Sequence, residues 1–299
     1  MLRSRLLPVV LGLVLAAGVG QAVPPPMRVL VTNDDGVAAA GIDALVEELR
    51  GNPQLAVTVA APATNQSGTG DQVTAPPDTI ATTAATTASG APATAVAGFP
   101  ADSVLVAVLA TLPERPDLVV SGINAGQNVA DAVPISGTIG AARWAARLGI
   151  PAIAASAQFG TTDYGVAAGI VGRLVEHVRR DRGLRKHLRE AGPDGHGIVL
   201  NVNVPNCPGG GRGMRLVTVG RIATPTGYAL VSDVGGVRTW SLAQATLGYN
   251  DVDCASTQDA AANDLEAFLA GFVTVTPLSD EGQVSSRTMK QLKVVTKAF

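Results

Sequence analysis

The chain has 299 residues, 46% of them hydrophobic and 15% charged, with a formal net charge of −2. That length and apolar content support a large core in one domain plus an extension. The near-neutral balance, without a dense Lys/Arg tract, excludes a nucleic-acid polymer as the main partner. Aromatic residues make up only 3%, so the core is expected to consist mainly of Ala, Val, Leu and Ile.

Residues 1–22 have the form of an export signal. Arg3 and Arg5 open it, an apolar stretch covers 6–19, and Gly20-Gln21-Ala22 supplies the small residues of a cleavage site. Cleavage after Ala22 places the mature protein in the periplasm, outside the cell or in the cell envelope, with no membrane attachment. An uncleaved anchor is the alternative, because the stretch 6–23 is barely long enough to span a bilayer.

The apolar run 27–31 reads as a buried parallel strand, followed at once by Thr32-Asn33-Asp34-Asp35-Gly36. Ligands of open α/β sheets bind beyond the carboxyl ends of strands. Two adjacent anions there repel by roughly 4 kcal/mol at an effective dielectric near 20, which a cation or a shared proton relieves. A solvated acidic turn has the same residues, so this motif alone leaves both readings open.

Residues 41–50 place Ile42, Leu45, Val46 and Leu49 on one helical face. A strand is expected over 55–60, then a polar loop over 62–70. The Thr/Ala-rich stretch 75–95 lacks a helical period and reads as edge strands or a mobile loop. A helix over 102–112, a strand over 116–121, a helix over 136–148 and a strand over 151–156 complete a β-α-β rhythm. This is the pattern of a Rossmann-like, doubly wound, mostly parallel α/β sheet.

Around 173–189 the sequence is helical and Arg-rich, and His177 and His187 read as solvated face residues rather than acid catalysts. Residues 208–213 hold four glycines without P-loop spacing and read as a turn. Beyond 214 helical alternation fades, and strands are expected over 214–219, 239–243 and 272–276. The organisation read from this is a core over 27–213 and a β-rich extension over 214–299, serving as lid or oligomerisation strands. Tyr228, Trp240 and Tyr249 read as packing residues of that tail rather than as a base platform. Cys207 and Cys254 sit in loop-like settings and are expected to pair in an oxidising compartment.

Three further motifs fall at expected strand ends: residues 61–68 with Ser67, residues 121–126 with Asn124, and residues 136–142 opening a helix. Asp34, Asp35, Ser67 and Asn124 would form a set of hard oxygen donors suited to Mg²⁺ or Mn²⁺, with Ca²⁺ a further fit, and unsuited to a zinc site. The helix opening at Ser136-Gly137-Thr138 offers backbone N–H groups to a phosphate, although an ordinary Ser N-cap explains it equally.

At this point the chain resembles a known family, the SurE-type nucleotidases, metal-dependent 5′/3′-nucleotidases and acid phosphatases. The resemblance rests on residues 31–36, 61–68, 100–102, 116–126 and 136–138, continuing with 200–205 and 271–278 in the family's order. It implies hydrolysis of nucleoside 5′- and 3′-monophosphates with one divalent cation per subunit. It also implies metal positions at Asp34, Asp35, Ser67 and Asn124, with the two aspartates catalytic, and phosphate or substrate contacts at Asn33, Asn65, Gly68, Ser136, Gly137 and Thr138. A homodimer or homotetramer, with the 272–278 strand serving the interface, is implied as well.

Two departures lie near the implied site: Thr69-Gly70-Asp71-Gln72 and Ala130-Asp131-Ala132 replace the family's usual runs. The expected mechanism is in-line attack of metal-activated water. It is favoured over an aspartyl-phosphate because the Asp-x-Asp spacing is missing and no Lys precedes Lys186. An exported protein that binds a nucleotide or phosphate without turnover is the alternative. A serine hydrolase is disfavoured by the lack of a Gly-x-Ser-x-Gly elbow.

Overall fold

Strand β1 (Met27–Thr32) is buried on both faces, which is why its sequence is apolar throughout rather than alternating. Val29 and Val31 pack with Ile42, Leu45 and Leu49 of helix α1 (Ala40–Arg50) and with Leu174 of α4 (Gly165–Arg180). Leu30 faces the opposite side, against Val104 of α2 (Pro100–Val106) and Ile139 and Ala142 of α3 (Gly137–Arg147). Truncating a fully buried side chain such as Leu30 to Ala costs about 2–5 kcal/mol. The small Ala141, Ala142, Ala145 and Ala146 of α3 lie in that second core. Helices on both faces thus follow from the strand's own period of two.

This computed structural model describes residues 25–190, 192, 195–221, 227–243, 250–280 and 282–298. The expected signal at 1–22 and Tyr249 lie outside them. The main sheet runs β12 (Gly282–Gln283), β11 (Val273–Ser279), β7 (Val199–Val204), β6 (Ala152–Ala157), β5 (Leu118–Asn124), β1, β2 (Leu55–Pro62), β4 (Pro92–Ala97) and β3 (Ala81–Thr86), with β8 (Met214–Leu216) beside β11. Its central members are β2 (Leu55–Pro62), β5 (Leu118–Asn124), β6 (Ala152–Ala157) and β7 (Val199–Val204), parallel to β1 or to one another. β1 leads through α1 to β2 on one side, while β5 lies on its other side, so the order reverses between β1 and β5. A crevice opens at such a switch point.

Residues 75–95 resolve to the first of their two readings. β3 (Ala81–Thr86) and β4 (Pro92–Ala97) form an antiparallel edge hairpin, with β4 parallel to β2. The helix expected over 102–112 begins earlier, at Pro100, and its last turn widens to a π turn over Ala107–Thr111 before Pro113. The Arg-rich stretch is two helices, α4 and α5 (Arg182–Glu190). The chain breaks at Asp181, whose Oδ1 accepts the N–H of Leu184 at 2.9 Å and caps the second helix.

Past residue 214 the chain is more regular than its pattern suggests. β8 is short (Met214–Leu216), β11 (Val273–Ser279) runs antiparallel to β7, and β12 is Gly282–Gln283. Two helices absent from the sequence reading, α6 (Asp264–Leu269) and α7 (Ser286–Gln291), start at Asn263 and Ser285 caps. β11, which holds most of the 272–278 stretch, is fully buried and pairs with β7 and β8 of its own chain. Strands β9 (Gly227–Val234) and β10 (Val237–Ala243) form a separate two-stranded sheet. Tyr228 and Trp240 stand exposed on it, so neither packs into the core of its own chain as expected. Cys207 and Cys254 are joined in a disulfide, with Cα atoms 5.6 Å apart.

Candidate active site

β1 ends at a turn built by Asn33. Its buried amide donates Nδ2–H to the Gly36 carbonyl at 2.9 Å, and its Oδ1 accepts the Gly36 N–H at 3.3 Å. Gly36 has φ +106°, a conformation that costs a Cβ-bearing residue strain. This turn fixes Asp34 and Asp35 at the strand end, where both line a cleft of about 530 Å³. Ser67 and Gly68 after β2, Asn124 at the end of β5 and Ser136 before α3 line the same cleft. The four expected donor residues, drawn from three strand ends, therefore meet in one place.

Asp34 is 2% exposed. Its Oδ1 accepts the Thr138 hydroxyl at 2.7 Å, and the Thr138 backbone N–H bonds the same carboxylate. Burial pushes the Asp34 carboxyl up to about 6, Thr138 pulls against that rise, and the charge of Asp35 adds to it. Burial also raises Asp35, opposed by the Ala125 N–H, which donates to its Oδ2 at 3.0 Å. Asn124 donates Nδ2–H to the Gly126 carbonyl, and its Oδ1 has no partner among the described residues.

The helix terminus is therefore used differently from the expectation. Thr138 is fully buried and spends both donors on Asp34, so it positions a carboxylate instead of holding a phosphate. Gly137 is required by close approach: a Cβ there would lie 2.9 Å from that of Asp34. The Ser136 hydroxyl accepts the Ile139 N–H at 3.2 Å as an N-cap while the residue lines the cleft. Asn33 builds the turn and is shut off from the cleft. Asn65 braces its own loop, its Oδ1 accepting the Ser67 N–H at 2.9 Å, with only a long 3.4 Å contact from Nδ2 to Asp35.

Both departures from the family pattern have structural uses. Asp71 turns away from the cleft and pairs with Arg147 at 2.6 Å, which also reaches Asp280 at 2.6 Å; Asp71 thereby braces α3. Ala130 holds φ +50°, and its N–H donates to the fully buried Asp264 at 3.2 Å, pinning the loop whose Ala132 lines the cleft. Beneath that loop, Asn201 and Asn203 of β7 donate to the Asn128 carbonyl at 2.8 and 3.3 Å.

Residues missed at the sequence level include Gln127, Asn128, Ile135, Phe159 and Asn250, all of which line the cleft. Phe159 follows β6 closely, so the strand-end rule applied to every strand would have found it. Asn250 carries no such signal. No histidine among the described residues lines the cleft; His177 and His187 are half-buried, with their Nε2 atoms covered.

Among the described residues no Lys or Arg lines the cleft either, and Asp34 and Asp35 are the only charged groups that do. Among the described residues no cluster of three or more His, Cys, Asp or Glu is arranged to hold a metal. The donor set that fits a cation is instead two carboxylates, the Ser67 hydroxyl and the Asn124 amide oxygen, all hard oxygens matched to a divalent ion of the Mg²⁺ type.

These features define a Rossmann-like α/β protein with a carboxylate cleft at its topological switch point. A family model described as Survival protein SurE matches residues 29–224, and the chain belongs to that family. Among similar proteins is the 5'-nucleotidase SurE of Symbiobacterium thermophilum, 36% identical over 253 residues spanning 84% of this chain and 91% of that protein. The 5'/3'-nucleotidase SurE of Yersinia pestis is 40% identical over 182 residues, 61% of this chain and 65% of that protein. The crystal structure of the SurE protein from Aquifex aeolicus aligns with TM-score 0.68 and 29% identity, covering 90% of this chain and 99% of that one.

Proposed function

We propose that this protein is a metal-dependent phosphomonoesterase that hydrolyses nucleoside 5′- and 3′-monophosphates to nucleoside and phosphate. The observation that carries the reading is the charge content of the cleft. Two carboxylates with no basic side chain repel a phosphate ester by several kcal/mol at short range, so anion binding there requires a cation. A divalent ion held by Asp34, Asp35, Ser67 and Asn124 would supply that charge, polarise the phosphoryl group and acidify a water.

The two aspartates then divide the work. Asp34 is clamped by Thr138 and fixes the geometry. Asp35 is less enclosed; the Ala125 N–H holds its Oδ2, while its Oδ1 takes only the long 3.4 Å bond from Asn65 and is the oxygen that would accept a proton from the attacking water. A carboxylate raised by burial is a better base near neutral pH than an ordinary one. No Lys among the described residues lines the cleft to support an aspartyl-phosphate route.

The proposal extends to location and assembly. The signal-like residues 1–22 and the Cys207–Cys254 disulfide together support an exported protein. The β9–β10 hairpin exposes Tyr228, Val231, Val234, Val237 and Trp240. Isolated two-stranded hairpins are marginal in water, so this patch supports pairing with a second copy.

The test is phosphate release from 5′-AMP and 3′-AMP by protein lacking residues 1–22, with EDTA and with added Mg²⁺ or Mn²⁺. Turnover that needs the metal and disappears in Asp35→Asn is the expected result. EDTA-resistant turnover overturns the metal assignment, and tight AMP binding without turnover overturns the assignment as an enzyme.

A further inference from the structure

Most exposed large apolar side chains of this protein lie on the β9–β10 hairpin, but two lie in the acidic cleft. Phe159 is 67% exposed and Ile135 is 59% exposed, and both line the space that also holds Asp34 and Asp35. An exposed aromatic ring costs stability that burial would recover, at roughly 25 cal/mol per Å² of apolar surface. Its placement in a polar site therefore calls for a ligand face to cover it.

The backbone carrying this ring is held from several directions. The Phe159 N–H donates to Gln127 Oε1 at 2.8 Å, and Gln127 Nε2 donates to Asn250 Oδ1 at 2.7 Å. Next to it, Gln158 donates from Nε2 to the Asn250 carbonyl at 3.0 Å and accepts the Asn206 N–H at 2.8 Å. Asn206 adjoins Cys207, whose disulfide partner Cys254 lies four residues beyond Asn250. A ring position tied by two glutamines to a cross-linked segment is a prepared surface, and preorganisation lowers the entropic cost of binding.

We propose that Phe159, with Ile135, is the nucleobase platform of this cleft: the base of a nucleoside monophosphate stacks on the Phe159 ring while its phosphate lies at the Asp34–Asp35 end. This rests on the nucleotidase reading above and assigns to it the part of the substrate that is not phosphate. Stacking suits any base, because every base offers a π face. Gln127 and Asn250 also line the cleft and put amide groups beside the platform.

The test compares 5′-AMP with ribose 5-phosphate, which keeps the sugar and phosphate and lacks the base. In Phe159→Ala, KM for AMP is expected to rise about tenfold, in the range of one lost base–aromatic stack, with kcat unchanged. KM for ribose 5-phosphate should stay at its wild-type value, and Phe159→Tyr should restore the AMP value. Adenosine should compete against ribose 5-phosphate hydrolysis about tenfold more weakly in the Ala variant. Equal effects on both substrates, or none on either, overturn the platform while leaving the nucleotidase reading in place. Wild-type protein that hydrolyses neither phosphate ester overturns both.

Discussion

The two ends of β1 treat charge in opposite ways. At its amino end, Arg28 donates Nε–H and Nη2–H to Asp117 at 3.1 and 3.0 Å, and its backbone N–H reaches the same carboxylate at 2.9 Å. Burial alone would raise the Asp117 carboxyl, but Arg28 outweighs it and the carboxyl ends below its ordinary range. Nearby, hydrogen bonds from Arg179 and Arg180 hold Glu176 at about 2. At the carboxyl end, burial raises both Asp34 and Asp35, the charge of Asp35 adds to the rise at Asp34, and no basic side chain among the described residues lines their cleft. One end gains from its charges, and the other carries an electrostatic cost that only a bound ligand removes. That asymmetry separates scaffold from site.

The sharpest way to break the contrast is Asp35→Asn. It should lower kcat for AMP by about 10³-fold, within the range for losing a positioned base. Melting temperature should stay the same or rise, because one of two like charges is gone. A large fall in melting temperature would place Asp35 among the stabilising charges.

The second prediction concerns Asp34 in the metal-free protein. Its folded carboxyl sits at about 6 against an ordinary 3.8, so the folded state keeps its proton to higher pH than the unfolded chain does. The contribution to stability is therefore most favourable below about pH 4. It is lost as pH rises through 4 to 6 and stays lost above, by about 3 kcal/mol in total. Asp34→Asn should not show this loss, so urea unfolding of the two proteins in EDTA should diverge above pH 4. Parallel curves would mean the carboxyl is not raised.

The fold's main parallel strands and the cleft positions of Asp34, Asp35, Ser67 and Asn124 were legible because buried parallel strands read as apolar runs and each of these residues lies at or just beyond the end of one. What was not legible depends on contacts between distant segments. Thr138 looks like a phosphate ligand until α3 is seen packed against Asp34. Asn250 reaches the cleft only through the segment stapled at Cys254. α6 and α7 are six residues each, too short to show a period.

At the amino end, Arg28→Ala should cost about 1 kcal/mol in denaturant unfolding, the scale of a partly exposed ion pair with good geometry. AMP turnover should not change. A loss of activity would show that the two ends are coupled. The smallest effect is expected at Ala130, whose φ of +50° strains an L side chain. Ala130→Gly should stabilise the protein by about 0.5–1 kcal/mol by relieving that strain. No gain would mean that Asp264 already compensates for the conformation in full.

The link between Cys207 and Cys254 spans 47 residues of chain and encloses the entire β9–β10 hairpin. A protease that nicks this projecting ribbon would therefore produce two fragments on a reducing gel and one intact molecule without reductant. Buried strands on both sides of the cut would remain tethered. A molecule clipped in this ribbon would thus keep its sheet and cleft in one piece.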